Sequence, residues 1–140
     1  MYNVHNLIMF KIDNNFLRKI VKIALSQGGV TADMVCRKIL TNADMWLFPK
    51  YPDKTIICRH DSNLIKEINN FINANRKLLS QQHCFLGMWL HPKTRDYYLD
   101  ITTSVKEQEQ AIKTARKISR ESERKIVSVY NLLTKKTVFL

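Results

Sequence analysis

Residues 104–124 constrain this chain most. At about 100° per residue, Lys106, Lys113, Lys117, Arg120 and Arg124 fall within roughly 60° of arc on one helix face. The opposite face carries Val105, Ala111, Ile112, Ala115 and Ile118. A helix divided this way docks one side on a core and shows a row of cations to water. The net charge of the whole chain, +11, carries the same message. Both point to an anionic partner.

Composition narrows the class of molecule. A length of 140 residues predicts one domain. Such a chain can bury most of its apolar surface without metal or disulfide staples. The apolar fraction of 45% and charged fraction of 25% match an ordinary globular protein. Three Gly and three Pro argue against long linkers. No apolar run approaches the ~18 residues that span a bilayer, so no membrane partner is expected. The start of the chain has neither a basic region nor a small-residue cleavage site, so no signal peptide is expected. Cys36, Cys58 and Cys84 are odd in number and irregularly spaced, which predicts free thiols in a reducing cytosol. Residues 1–70 hold ten Lys/Arg against six Asp/Glu, and residues 71–140 hold thirteen against six. The basic excess leans toward the C-terminal half without forming a tail. A folded basic surface attracts nucleic acid, acidic proteins or anionic lipid through its long-range field.

The order of elements predicts an α+β fold. Asp13 or Asn14 can cap a first helix over 13–27, with Phe16, Leu17, Ile20, Val21 and Ala24 at helical spacing and Gly28-Gly29 as its stop. Positions 30–50 read two ways. Residues 31–40 form either a short helix or an extended segment with a turn at Thr41-Asn42, before a strand at 45–49. Residues 51–54 read as a turn and 55–59 as a β-rich run. Asp61 or Ser62 caps a helix over 61–79, striped by Leu64, Ile65, Ile68, Phe71, Ile72, Leu78 and Leu79. A hairpin follows over 85–101 around a Pro-containing loop. Ser104-x-x-Glu107 has the pattern of a capping box and opens a helix over 104–123. A second hairpin occupies 125–139. A single domain with a largely antiparallel sheet of four to six strands packed with three helices is expected.

Candidate sites fall into four groups. The cation row, Lys106, Lys113, Lys117, Arg120 and Arg124, suits phosphate contacts, which position a protein on nucleic acid without reading sequence. The same row also serves as a solvated face. Single-strand binding would add aromatic stacking. The neighbouring Trp89, Tyr97 and Tyr98 are expected as core or half-buried sheet residues. Cys58 and His60 share one strand face, with His91 as a third possible ligand for a metal. His83 and Cys84 are adjacent and would point to opposite faces. No Cys-x-x-Cys or His-x-x-x-His spacing reinforces a zinc site, and no cofactor is expected. His91, Arg95, Asp96 and Asp100 sit on or beside one loop, where an acid/base pair and a cation can be assembled. Gly-rich phosphate loops and nucleophile elbows are absent from the sequence. Trp46, Phe48 and Tyr51, with Met45, Pro49 and Pro52, form an apolar cluster that closes a core or, if exposed, grips a protein partner.

Two blocks carry a resemblance. Gly28-Gly29-Val30-Thr31 is similar to a Gly-Gly-aromatic-Thr opening, with Val30 in place of the aromatic. Leu86-Gly87-Met88-Trp89 with Tyr98-Leu99-Asp100-Ile101, followed by a helix with Ala111 and Ala115, resembles a Gly-x-Trp…Tyr-Leu-Asp pattern. The pair resembles small accessory proteins of phages and other mobile elements and covers residues 28–131. Glycines expected between 32 and 50 are missing. The resemblance implies an accessory protein, acting on a host factor, and transfers no catalytic residue.

The expected function is therefore a cytoplasmic, non-enzymatic binding module that meets nucleic acid or an acidic protein through its basic helix. The alternatives are a mobile-element protein that binds or inhibits a host protein, and a small hydrolase or nucleic-acid-processing enzyme centred on His91, Asp96 and Asp100. A homodimer through an edge strand at 137–140 is compatible with either binding role.

Overall fold

The computed structural model describes residues 10–140. The start of the chain, where a leader was sought, lies mostly outside them. Helix α1 spans Asn14–Gln27. Its cap is Asp13, whose carboxylate accepts from the N–H groups of Asn15 and Phe16. Its stop is Gly28, in the left-handed region at φ 83°, which a residue without Cβ adopts at no steric cost. Leu17, Ile20 and Ala24 are fully buried along the docked face. Each of the two larger side chains contributes roughly 1.5–3 kcal/mol by leaving water.

The segment after α1 is extended. Strand β1 (Gly29–Asp33) turns back into β2 (Lys38–Ile39). The turn precedes Thr41-Asn42. Asp33 accepts from the N–H groups of Val35 and Cys36, and Arg37 adopts φ 54°. Strand β3 (Trp46–Pro49), a single 3-10 turn at Pro52–Lys54 and strand β4 (Ile56–Cys58) follow as expected.

The helix expected over 61–79 is broken. Helix α2 covers Leu64–Ala74, capped by Asn63 rather than Asp61 or Ser62, and a single turn, α3, covers Arg76–Leu79. The break is at buried Asn75, whose side-chain amide donates to the Phe71 carbonyl and competes with the helical ladder. Strands β5 (Phe85–Leu90) and β6 (Tyr97–Val105) form the central hairpin. Helix α4 spans Gln108–Glu121, and strands β7 (Ser128–Asn131) and β8 (Thr137–Phe139) close the order. Ser104 does not cap α4. It lies in β6 opposite Leu47, and the residue before the helix is Glu107, without a side-chain bond. Strand pairing has taken the backbone that the capping pattern would need.

Among the described residues the sheet has eight strands, more than expected: seven in the order β2-β1-β5-β6-β3-β7-β8, with β4 beside this path and paired to β6. All pairs are antiparallel. Strand β6 is long enough to hold two partners on one edge, β4 at Tyr97–Leu99 and β3 at Thr102–Val105.

Directly paired residues point to the same side of a sheet, and successive residues alternate. The register therefore sorts every strand residue onto one of two faces. Val30, Ala32, Ile56, Cys58, Leu86, Met88, Leu90, Tyr97, Leu99 and Ile101 share one face and pack against α1 and α2. Phe48 pairs with Thr103, and Trp46 with Val105, so the second cluster, where Ala111 and Ala115 of α4 meet Trp46, Phe48 and Val129, lies on that same face. The main helices thus cover one side of the sheet. The fold is α+β, with a helical layer on one face of an antiparallel sheet.

Candidate nucleic-acid interface

Helix α4 is set by its two small residues. Ala111 and Ala115 are fully buried and bring the helix backbone close to the sheet, while Ile112 and Ile118 pack at the margins. The helix ends where Lys125 Nζ donates to the carbonyls of Ser119 and Ser122, at 2.5 and 2.8 Å. These are carbonyls a helix C-terminus leaves open, and a cation there also complements the dipole. The following chain is tied down by Asp53, whose carboxylate accepts from the N–H groups of Glu123 and Arg124.

This geometry shortens the expected row of five cations. Lys113, Lys117 and Arg120 stand exposed on the outer face of α4, with Arg116 on their flank. Lys106 precedes the helix and Arg124 follows it. Both are exposed, but neither is in helical register with the other three. Arg124 is close enough to Asp100 for its charge to act on that carboxyl. Among the described residues the ion pairs are Arg37–Asp13, Arg59–Asp61 and His60–Asp96, and none involves α4. The three in-register cations span eight residues, Lys113 to Arg120, whose seven steps cover roughly 10 Å of helix at about 1.5 Å each. Glu109 lies one turn before Lys113, in the first turn, where an acid suits the dipole.

The other face of the sheet carries an aromatic group that sequence reasoning had placed in or near the core. Tyr97 is buried as expected. Trp89 is 47% exposed, pairs directly with Tyr98 and lies with it on the side away from the helices. The ring centroids of Trp89 and Tyr98 are 5.2 Å apart, those of Trp89 and His91 5.2 Å, and those of His91 and Tyr98 6.0 Å. The signal was the alternation itself. In β5, Leu86, Met88 and Leu90 take one face and Trp89 the other, a parity that only the register with β6 resolves.

The residues considered for catalysis each have separate partners. His91 Nδ1 accepts from the N–H groups of Lys93 and Thr94, so the neutral ring carries its proton on Nε2. The Asp96 carboxylate accepts from the His60 N–H and lies 3.8 Å from its imidazole. Asp100 accepts from Thr55 Oγ1 at 2.5 Å. Burial raises its pKa above the ordinary carboxyl value, against the opposing effects of Thr55 and Arg124. No acid/base pair is assembled from His91, Asp96 and Asp100.

The metal candidates are likewise dispersed. Cys58 is buried beside Glu67, its Sγ 3.8 Å from Oε2. Burial, then the Glu67 charge and hydrogen bond, push its pKa up to about 11, which disfavours the thiolate a metal or a nucleophile requires. His60 turns to Asp96 and His91 joins the aromatic group. Among the described residues no group of three or more His, Cys, Asp or Glu is placed to hold a metal ion.

The apolar cluster proposed for protein contact is divided. Trp46 and Phe48 are 7% and 2% exposed and belong to the core beneath α4. Burying two large aromatics there outweighs any grip they would offer a partner. Tyr51 is half-buried, packs on the larger cluster and lies near Lys50 and Gln81. No helix among the described residues is long and apolar enough to cross a membrane. No family model matches the chain, and neither a curated protein nor a solved structure shows significant similarity to it.

Proposed function

We propose that this protein is a binding module that engages the phosphate backbone of nucleic acid through the outer face of α4. The observation that carries the reading is the row of Lys113, Lys117 and Arg120, exposed, in helical register and without an ion pair among the described residues, on a helix anchored by Ala111 and Ala115. Unpaired cations held on a rigid element meet phosphates without first breaking internal salt bridges. Each contact releases condensed counterions from the nucleic acid, which is the main source of sequence-independent affinity. A net charge of +11 adds long-range steering toward any polyanion. The burial of Trp46 and Phe48 removes the apolar grip on which a protein-partner reading relied.

Binding of DNA and RNA duplexes and single strands across a salt series tests the reading. A log–log slope of roughly −3 to −5 is expected, corresponding to several phosphates neutralised together. Absence of binding at low salt would refute it, and pull-down from host lysate would then test the protein-partner alternative.

A further inference from the structure

We infer that the face of the sheet around Trp89 and Tyr98, which no helix among the described residues covers, is a stacking platform for the unpaired bases of single-stranded nucleic acid. The inference goes beyond the proposed role of α4 and stands on the opposite side of the sheet.

The contrast between the two faces at the Trp89 end of the hairpin carries it; toward the other end Phe85 and Thr102, on the same side as Trp89, are buried. Along β5 and β6, the helix-side residues Met88 and Leu99 are 3% and 0% exposed. On the other side Trp89 is 47% exposed, and Ile57, paired with Tyr98, is also 47% exposed. Leaving a Trp ring half in water forgoes apolar burial worth roughly 25 cal/mol per Å². The ring is nonetheless well positioned. Trp89 meets both His91 and Tyr98 at tilted angles of 59° and 58°, with both centroid distances of 5.2 Å inside the range of favourable aromatic contacts. His91 is held in turn by the two backbone N–H groups on its Nδ1. On the other flank Trp89 pairs with Gly29, whose missing side chain leaves that side of the ring uncovered. A Cβ built on Gly29 would lie 3.9 Å from Trp89 Cδ1.

The surroundings select the occupant. Among the described residues the exposed apolar surface here is that of Trp89 and Ile57, with the half-buried Tyr98 between them. That suits one or two flat rings and is small for a protein interface, which needs about 800 Å² per partner. Exposed cations border it in the hairpin loop, Lys93 and Arg95, while Arg59 beyond Ile57 is paired with Asp61. The nearby carboxylates are engaged, Asp61 by Arg59, Asp96 by His60, and Asp100 by Thr55 with Arg124 nearby. An exposed ring among cations fits a ligand that is aromatic and anionic along one strand. Aromatic side chains on an open sheet serve unpaired bases in this way, because every base has a π-face.

The test uses Trp emission. Trp46 is 7% exposed beneath α4, so a change on adding oligonucleotide reports Trp89. A short oligothymidylate should quench emission. An abasic strand of equal length should bind more weakly. Trp89→Ala should weaken oligothymidylate binding by about 5- to 150-fold, the loss of one stacked base. Trp89→Phe should recover most of it. Duplex binding should stay unchanged in Trp89→Ala, which also shows that this variant is folded. By contrast, Lys113→Gln/Lys117→Gln/Arg120→Gln should weaken duplex and abasic strand together. Equal affinity of the native protein for oligothymidylate and the abasic strand, or full affinity in Trp89→Ala, would overturn the inference while leaving the role of α4 standing.

Discussion

Neutralising the outer face of α4 is the most direct test of how this protein meets a polyanion. In Lys113→Gln/Lys117→Gln/Arg120→Gln, no hydrogen bond or ion pair among the described residues is lost, because none of the three side chains makes one there. Gln also keeps a good helix propensity. Three duplex phosphates neutralised together contribute about −2.7 to the slope of log affinity against log salt. Between about 50 and 200 mM salt, that contribution alone weakens binding about 40-fold. The variant should therefore bind duplex far more weakly at low salt and show a slope shallower by about 2.7. A control separates local contacts from the overall field. Lys19→Gln/Lys22→Gln/Lys66→Gln removes the same charge from exposed sites on α1 and α2. It should reduce association modestly and leave the slope nearly intact. Fluorescence anisotropy of a labelled duplex across a salt series reads both quantities. An α4 variant that melts like the native protein yet keeps its slope would refute the reasoning, as would equal losses in the two variants.

Four further outcomes follow from the packing and from the buried titratable groups. In Gly87→Ala, the new Cβ would strike Thr102 Oγ1 and lie 3.2 Å from Thr102 Cβ. Overpacking of this kind costs about 1–3 kcal/mol, offset by about 0.4–1 kcal/mol from the stiffer unfolded chain. Urea unfolding should show Gly87→Ala less stable than native, and adding Thr102→Ala should recover part of the loss. A fully stable Gly87→Ala would contradict this packing. Asp100 binds its proton more tightly in the folded than in the unfolded chain, so its contribution to stability is complete below the unfolded pKa and lost as pH rises through the folded pKa. The stability of Asp100→Asn relative to native should therefore increase with pH across that acid window, and a constant difference would contradict the assignment. With Cys36 exposed and Cys58 and Cys84 buried, a thiol reagent near neutral pH should titrate one cysteine rapidly and all three only after denaturation. The Cys58 contribution to stability should likewise disappear as pH rises from about 9 through about 11.

What could be read without the structure was whatever has a local cause. The Asp13 cap, the Gly28 stop, the strand at 46–49 and both late hairpins follow from side chains acting within a few residues. The exposure of Lys113, Lys117 and Arg120 followed from 3.6-residue periodicity alone. The errors have a common physical origin in long-range pairing. Ser104 matched a cap locally, yet pairing with Leu47 held it in β6 and moved the helix start to Gln108. That shift took Lys106 out of the row, and the helix end at Glu121 leaves Arg124 beyond it. The sequence leaves Trp46 and Phe48 open to two readings, a core or a surface grip, and α4 covers both residues.

The composition and period of the chain determined its class: a basic α+β protein with one cationic helix face. Only the tertiary structure decided which side of the sheet each aromatic would occupy. A strand's alternation defines two faces but does not say which one the helices will cover. That choice depends on the register between β5 and β6 and on all the main helices packing to one side. It buries Met88 and Leu99 and leaves Trp89 in water, on the face opposite the basic helix.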